Sequence, residues 1–130
     1  MATEPFTPPR RSWPKKFAAA FRGIALGMRG QSSFAIHIPV AALVVIAGAY
    51  WRVTVTEWCL LALSITAVLA AEIFNCVLET LAKALDDRPN PHLAAGLDIA
   101  SGAVLLTAIG AAIIGAVIFV PRLLALVGWV

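Results

Sequence analysis

Charged side chains are scarce in this chain of 130 residues: they make up 13% of it, whereas an ordinary globular protein has about 25%. Hydrophobic residues account for 61%, and the mean hydropathy is +0.90. This composition excludes most soluble domains and indicates one domain embedded in a membrane. The formal net charge is only +3, which is too little for the basic surface of a nucleic-acid-binding protein, so we expect no nucleic-acid partner.

Cysteine is also scarce, and its spacing argues against a zinc site. Cys59 and Cys76 lie in apolar segments, without a CxxC pair or a cluster of histidines. The first residues lack the apolar segment of a cleavable signal peptide. Because residues 1–14 contain four prolines, we predict a disordered cytoplasmic tail there, followed by one membrane-embedded domain over residues 15–130.

An amphipathic helix is predicted over residues 15–30. Its apolar residues recur with helical spacing on one side, and they are Phe17, Phe21, Ile24 and Met28. Four basic residues surround this stripe, and they are Lys15, Lys16, Arg22 and Arg29. A helix of this kind is typical of the surface of an anionic membrane.

Three apolar segments follow, at residues 34–50, 58–82 and about 99–120. Each is close to the length that a helix needs to cross the hydrocarbon core of a bilayer. The predicted fold is therefore an all-α membrane protein with three transmembrane helices and an N-terminal amphipathic surface helix.

Basic residues predict the orientation of these spans. Six of them precede the first span, whereas the connection between the first two spans holds only Arg52. By the positive-inside rule, the N-terminus and the connection at residues 83–98 lie in the cytoplasm.

Polar residues on the second predicted span are the main candidates for a functional site. Glu72, Asn75 and Glu79 lie within about 60° of one another around a helix of 3.6 residues per turn. An acid at mid-bilayer costs ~2.5–3.5 kcal/mol, so Glu72 is not expected to face lipid. Asp98 opens the predicted third span, at the level of Glu79, where it could cap that helix or help to bind a cation.

This arrangement suits phosphoryl transfer, which needs positioning, a metal ion and a base. Oxygen ligands near the water interface suit Mg²⁺ with nucleotide phosphates, and the deeper Glu72 is a candidate base for a hydroxyl presented from within the bilayer. One alternative is that Glu72, Asn75 and Glu79 only hold the helices together. Two hypotheses stand for His37: it binds phosphate or nucleotide, or it is only a polar residue at the membrane interface.

Two segments carry a resemblance to a known family: residues 71–79, AEIFNCVLE, and residues 98–106, DIASGAVLL. These segments, and the nineteen-residue step from Glu79 to Asp98, resemble the small prokaryotic diacylglycerol kinases and their undecaprenol kinase relatives. Those proteins are homotrimeric three-helix membrane enzymes. The resemblance extends over about residues 17–121.

The resemblance implies an enzyme that uses ATP and Mg²⁺ to phosphorylate a lipid alcohol at the cytoplasmic face of the cell membrane, as a homotrimer. It implies that Glu72 is the catalytic base and that Glu79 binds the metal ion of the nucleotide. Asn75 and Asp98 are implied to line the nucleotide site.

Four positions depart from the family pattern, and one of them is Asn90, which stands where a His is common. Gln31 stands where many members have a second metal-binding acid, and it offers a neutral oxygen ligand. Lys83 stands where Asp is usual, and Leu97 stands where a phosphate-contacting Lys is usual. Lys83 lies near the same predicted edge as Leu97, so we predict that it supplies the missing positive charge to the nucleotide.

The sequence thus favours a lipid kinase of phospholipid metabolism, acting on diacylglycerol or undecaprenol. A second hypothesis is a catalytically impaired relative that serves as a membrane binding or scaffold protein, which Gln31, Lys83 and Leu97 would favour. A third is a small transporter or channel subunit. It is disfavoured because the outer half of the second span has only Ser64 and Thr66 as polar residues.

Overall fold

The computed structural model describes residues 12–29, 33–85 and 90–129. In chain order its elements are α1 (Trp13–Met28), α2 (Phe34–Tyr50), α3 (Val55–Leu85) and α4 (Pro91–Leu126). These ranges contain no strand. The prediction of an all-α protein is confirmed.

Two of the helices are long and apolar enough to cross a membrane, and they are α3 with 31 residues and α4 with 36. Helix α2 is also apolar, but it is shorter, with 17 residues. Most residues of α3 and α4 are not buried by the rest of the chain. This is expected for helices that expose apolar side chains to lipid or to other protein chains. A third span through α2 stays a prediction.

The helix boundaries agree with the predicted spans for α2 and differ for α4. Helix α2 has the predicted bounds, and α3 extends three residues beyond its predicted span at each end. Helix α4 begins at Pro91, eight residues before the predicted start, and it continues through Pro121 to Leu126. Helices α3 and α4 therefore extend into the predicted connection over residues 83–98, and the limits of the membrane spans stay a prediction.

Asn90 explains the early start of α4. Its side-chain oxygen accepts hydrogen bonds from the backbone N–H groups of His92 (3.0 Å) and Leu93 (3.3 Å). This is the usual role of an N-cap residue. Pro91 follows in the first turn, where a missing N–H costs the helix nothing.

A tight turn joins α2 to α3. The N–H of Val53 donates to the carbonyl of Gly48 at 3.1 Å, and Arg52 has a positive φ of 48°, as in a helix end closed by a left-handed residue. Helix α3 then starts with a capping box, in which Thr54 N–H donates to Glu57 Oε2 at 2.7 Å and Glu57 N–H donates to Thr54 Oγ1 at 3.3 Å. We call this end of the protein the turn end. The opposite end, where α3 ends and α4 begins, is the connection end.

Side chains pack closely at the turn end. The core there consists of Val53, Leu61 and Ile118. Gly48 permits a close contact with Trp58, since a Cβ atom at this position would lie 2.8 Å from the Trp58 ring. These contacts hold α2 against α3 and α3 against α4.

An ion pair links α3 to α4 at the same end. Arg122 Nη2 donates to Glu57 Oε2 at 2.9 Å, and both side chains are half-buried. The guanidinium also donates to the carbonyl of Ile118. At the turn end, α3 and α4 are therefore held together by both apolar packing and an ion pair.

Helix α1 is amphipathic and lies largely exposed on the rest of the chain. Its residues Phe17, Phe21 and Ile24 are all exposed, as expected for a surface helix whose apolar side meets lipid. Near its C-terminus, Gly27 approaches the side chain of Ile73 on α3. The predicted tail lies mostly outside the described residues, and α1 begins at Trp13, two residues earlier than predicted. The division into a tail and one domain stays a prediction.

Candidate active site

Glu72 is the buried carboxylate at the centre of the site. It lies on α3 with 5% of its surface exposed, and it is the one buried charged side chain of the described ranges. Its Oε1 lies 3.2 Å from Nε2 of His37 on α2. A carboxylate removed from water needs such a partner, because an unpaired charge is costly to bury. Glu72, the predicted catalytic base, is therefore a buried residue with a defined partner, His37.

Asn75 and Glu79 continue the polar face of α3 towards the connection end. The amide Nδ2 of Asn75 donates to Glu79 Oε1 at 3.1 Å. The amide oxygen of Asn75 is buried, and no hydrogen bond reaches it from the described part of the chain. Buried polar atoms are nearly always paired in native proteins. This oxygen is therefore a candidate contact for a bound ligand.

A cavity opens beside Glu79 at the connection end. Its volume is about 390 Å³, and it is lined by Glu79, Ala82, Lys83, Leu93 and Leu97. The structure thus brings Lys83 and Leu97 together on one cavity, next to the acid of the polar face. This proximity agrees with the prediction that Lys83 supplies the positive charge that is missing at Leu97. The nucleotide-binding role of Lys83 stays a prediction.

Asp98 does not line this cavity. Asp98 is exposed and lies well inside α4, because that helix starts at Pro91. The prediction that Asp98 opens the helix and could cap it was wrong, and Asn90 takes that position. Gln31 lies outside the described residues, so its predicted metal-binding role has no structural description.

The donors on α3 fit a hard cation such as Mg²⁺. Glu79 offers a carboxylate and Asn75 offers a buried amide oxygen without a partner among the described residues. Oxygen ligands of this kind, together with water and nucleotide phosphates, are what Mg²⁺ prefers. No group of three His, Cys, Asp or Glu side chains forms within residues 12–29, 33–85 and 90–129. Glu79 and Asn75 would be the ligands from α3, and nucleotide phosphates and water would supply others.

An apolar cavity of about 210 Å³ lies between α2, α3 and α4. His37 is at its lining, and Ser64 is the other polar residue there, with its hydroxyl donating to the carbonyl of Leu60. The remaining lining residues are apolar, and many are small: Val40, Ala41, Val44, Leu61, Ile65, Val68, Leu69, Ala108, Ala111, Ala112 and Gly115. The cavity suits a hydrocarbon chain, with its polar end at His37.

The pairing of His37 with Glu72 was missed by the sequence analysis, which treated His37 as an interfacial group or a phosphate ligand. A usable signal was present. Counted from the turn between the first two spans, His37 is thirteen residues from Tyr50, and Glu72 is fourteen residues from Trp58. In antiparallel neighbouring helices, such positions lie at nearly equal depth.

The chain is similar to proteins of one known family. Residues 18–119 match the sequence model of the family described as prokaryotic diacylglycerol kinase. The chain is 33% identical over 109 residues to the undecaprenol kinase of Bacillus subtilis (strain 168), covering 84% of this chain and 89% of that protein. It is 32% identical over 111 residues to the diacylglycerol kinase of Synechocystis, covering 85% of this chain and 63% of that protein.

If the polar face of α3 is functional and not structural, replacing Asn75 should not destabilise the protein. We expect Asn75→Leu to retain or raise the thermal unfolding midpoint in detergent micelles. The reason is that a buried oxygen without a partner costs about 1–3 kcal/mol, more than the roughly 0.5–1.5 kcal/mol that the hydrogen bond to Glu79 contributes.

Thr66→Val is the matched control, since the Thr66 hydroxyl bonds only locally to Ala62 on the same helix. A midpoint that falls clearly for Asn75→Leu, and not for this control, would show instead that the polar face holds helices together.

Proposed function

The chain belongs to the prokaryotic diacylglycerol kinase family, and from this we infer that its substrate is a membrane lipid alcohol such as diacylglycerol or undecaprenol. It is a lipid kinase, and ATP is its co-substrate. The observation that best supports this substrate class is the buried Glu72 carboxylate beside His37, at the polar end of an apolar cavity. A lipid alcohol combines the same two features, a hydroxyl and a long hydrocarbon chain.

Glu72 acts as the general base in the proposed reaction. It accepts the proton of the lipid hydroxyl as the oxygen attacks the γ-phosphorus of ATP. The bond between this phosphorus and the β–γ bridging oxygen breaks, and ADP leaves with the electron pair of that bond. The products are a phosphorylated lipid, ADP and a proton, which Glu72 releases afterwards.

The nucleotide binds at the connection end in this proposal. Glu79 and Asn75 would hold the Mg²⁺ ion, with Gln31 as a further oxygen ligand. Lys83, which lines the same cavity as Leu97, would contact the nucleotide phosphates. Mg²⁺ supplies charge neutralisation at the phosphate oxygens when it is bound. Along α3, Glu72 lies roughly 10 Å from Glu79 at 1.5 Å rise per residue. A triphosphate held at Glu79 would have to span this separation.

The site faces the cytoplasm of the cell in this proposal. The basic residues of α1 support an N-terminus on the cytoplasmic side of the cell membrane, by the positive-inside rule. Helix α1 packs near Ile73, one residue from Glu72, so the basic surface helix and the site lie close together. ATP is a water-soluble substrate, which also suits the polar connection end.

A homotrimer completes the proposal. Helices α3 and α4 leave many large apolar side chains exposed in one chain, for example Phe74, Leu106 and Val117. Other copies of the chain can cover part of this surface. Asp98 is exposed on α4, and in the proposed trimer we assign it to the nucleotide site of a neighbouring copy.

Replacing the base tests the proposed function directly. We expect Glu72→Gln to lower the rate of lipid phosphorylation by about 10²–10⁴-fold, because the hydroxyl loses its proton acceptor. The measurement uses purified protein in mixed micelles with labelled ATP and a panel that includes diacylglycerol and undecaprenol.

Glu57→Gln is the matched control, because it makes the same change on the same helix at the turn end. Equal labelling of lipid by the parent and by Glu72→Gln would contradict the assignment of the base. If the folded parent labels no lipid, the scaffold hypothesis replaces the proposed function.

Replacing the proposed metal ligand should change the dependence on Mg²⁺. We expect Glu79→Gln to raise the free Mg²⁺ concentration for half-maximal activity by about tenfold or more, since a charged oxygen ligand becomes neutral. The rate is measured against free Mg²⁺ at saturating lipid. An unchanged Mg²⁺ dependence would rule out Glu79 as a ligand.

Lys83 should matter for ATP more than a surface lysine does. We expect Lys83→Ala to raise the KM for ATP by about tenfold, the effect of losing one hydrogen bond to a charged group. Lys15→Ala, on the exposed α1 helix, serves as the control. The role of Lys83 is refuted if the two variants change the KM for ATP equally.

A further inference from the structure

His37 connects the two features on which the proposed reaction depends. It lies 3.2 Å from the buried Glu72 carboxylate, and it lines the apolar cavity between α2, α3 and α4. We propose that His37 is a positioning residue, which holds Glu72 Oε1 through its Nε2–H group and so directs Oε2 to the lipid hydroxyl. This inference rests on the proposed function.

The proposed reaction gives this hydrogen bond a direction. As the base, Glu72 is ionised, and an ionised carboxylate only accepts hydrogen bonds, so the proposal assigns the proton between the two groups to Nε2 of His37. Among the described residues, Oε1 of Glu72 receives this hydrogen bond and Oε2 receives none. The two oxygens of the base are thereby made different, and the one without a partner in this part of the chain can take up the proton.

The burial of the pair limits which other groups can contact the Glu72 carboxylate. Its side chain is 6% exposed, whereas that of His37 is 22% exposed. Water therefore has little access to the carboxylate, and the histidine is its neighbour on the side of the cavity. A glutamate side chain rotates about three bonds, so a fixed partner is needed to keep one oxygen aimed at the substrate.

The cavity brings the substrate to this pair. Its apolar walls suit a hydrocarbon chain, and His37 supplies a polar group at the lining near Glu72. A lipid that places its chain in the cavity can therefore bring its hydroxyl next to the imidazole and the carboxylate. His37 acts through Glu72 in this arrangement, and it is not itself the base.

A purely structural role for His37 gives a different expectation. Because His37 lies on α2 and Glu72 on α3, their hydrogen bond also links the two helices. If it served only this purpose, its loss would lower stability and leave the turnover of the folded protein unchanged. A positioning role lowers kcat in protein that remains folded.

The deciding comparison is between His37→Gln and His37→Leu, because the glutamine and leucine side chains have similar size. The amide N–H of glutamine can still donate to Glu72, and leucine has no donor. We expect His37→Leu to lower kcat by about 10- to 100-fold, the effect of a misplaced catalytic group. We expect the KM for ATP to stay within about twofold, and His37→Gln to recover most of the parent kcat.

The measurements use the full-length protein in mixed micelles, with labelled ATP and the lipid alcohol that the parent phosphorylates best. Thermal unfolding midpoints establish that each variant is folded. His92→Ala, which removes the other histidine of the chain, is the control and should keep the parent kcat.

The inference fails if folded His37→Leu keeps the parent kcat, or if His37→Gln loses as much as His37→Leu. The parent and Glu72→Gln are assayed beside these variants, which separates the two levels of the proposal. Activity that depends on Glu72 but not on His37 overturns only the role of His37. An inactive parent overturns the proposed function, and the inference falls with it.

Discussion

A carboxylate inside an apolar helix bundle must have a partner, and this requirement connects the features of the site. Glu72 meets it through His37, which lies 35 positions earlier on a different helix. In the proposed reaction, the pair makes the placement of α2 against α3 matter for function as well as for packing. Because Asn75 and Glu79 lie on the same face of α3, the position of Glu72 also sets where these residues point.

The two ends of the protein are built differently, in agreement with separate roles. At the turn end, a short connection, a capping box and the Glu57–Arg122 ion pair join the helices. The connection end has a cavity beside Glu79 and Lys83. In the proposed function, the closely packed turn end holds the helices in position while the opposite end admits the nucleotide.

Much of the site could be predicted because it follows the period of one helix. Glu72, Asn75 and Glu79 share a face of α3 wherever that helix packs, so their spacing sufficed to group them. The start of α4 was missed although its signals were present. Asn90 and Pro91 form an N-cap followed by a first-turn proline, but neighbouring prolines made the segment look like a turn throughout. Asp98 was consequently assigned to a helix start that lies elsewhere.

The sequence by itself determined that the chain is a helical membrane protein with a polar face on its second apolar segment, because composition and periodicity are local properties of the chain. Only the tertiary structure decided which residue pairs with Glu72, which residues share a cavity with Lys83, and where an apolar cavity lies between the helices. These features depend on the depth and rotation of one helix relative to another. Packing between distant residues, such as Gly48 against Trp58, sets both quantities.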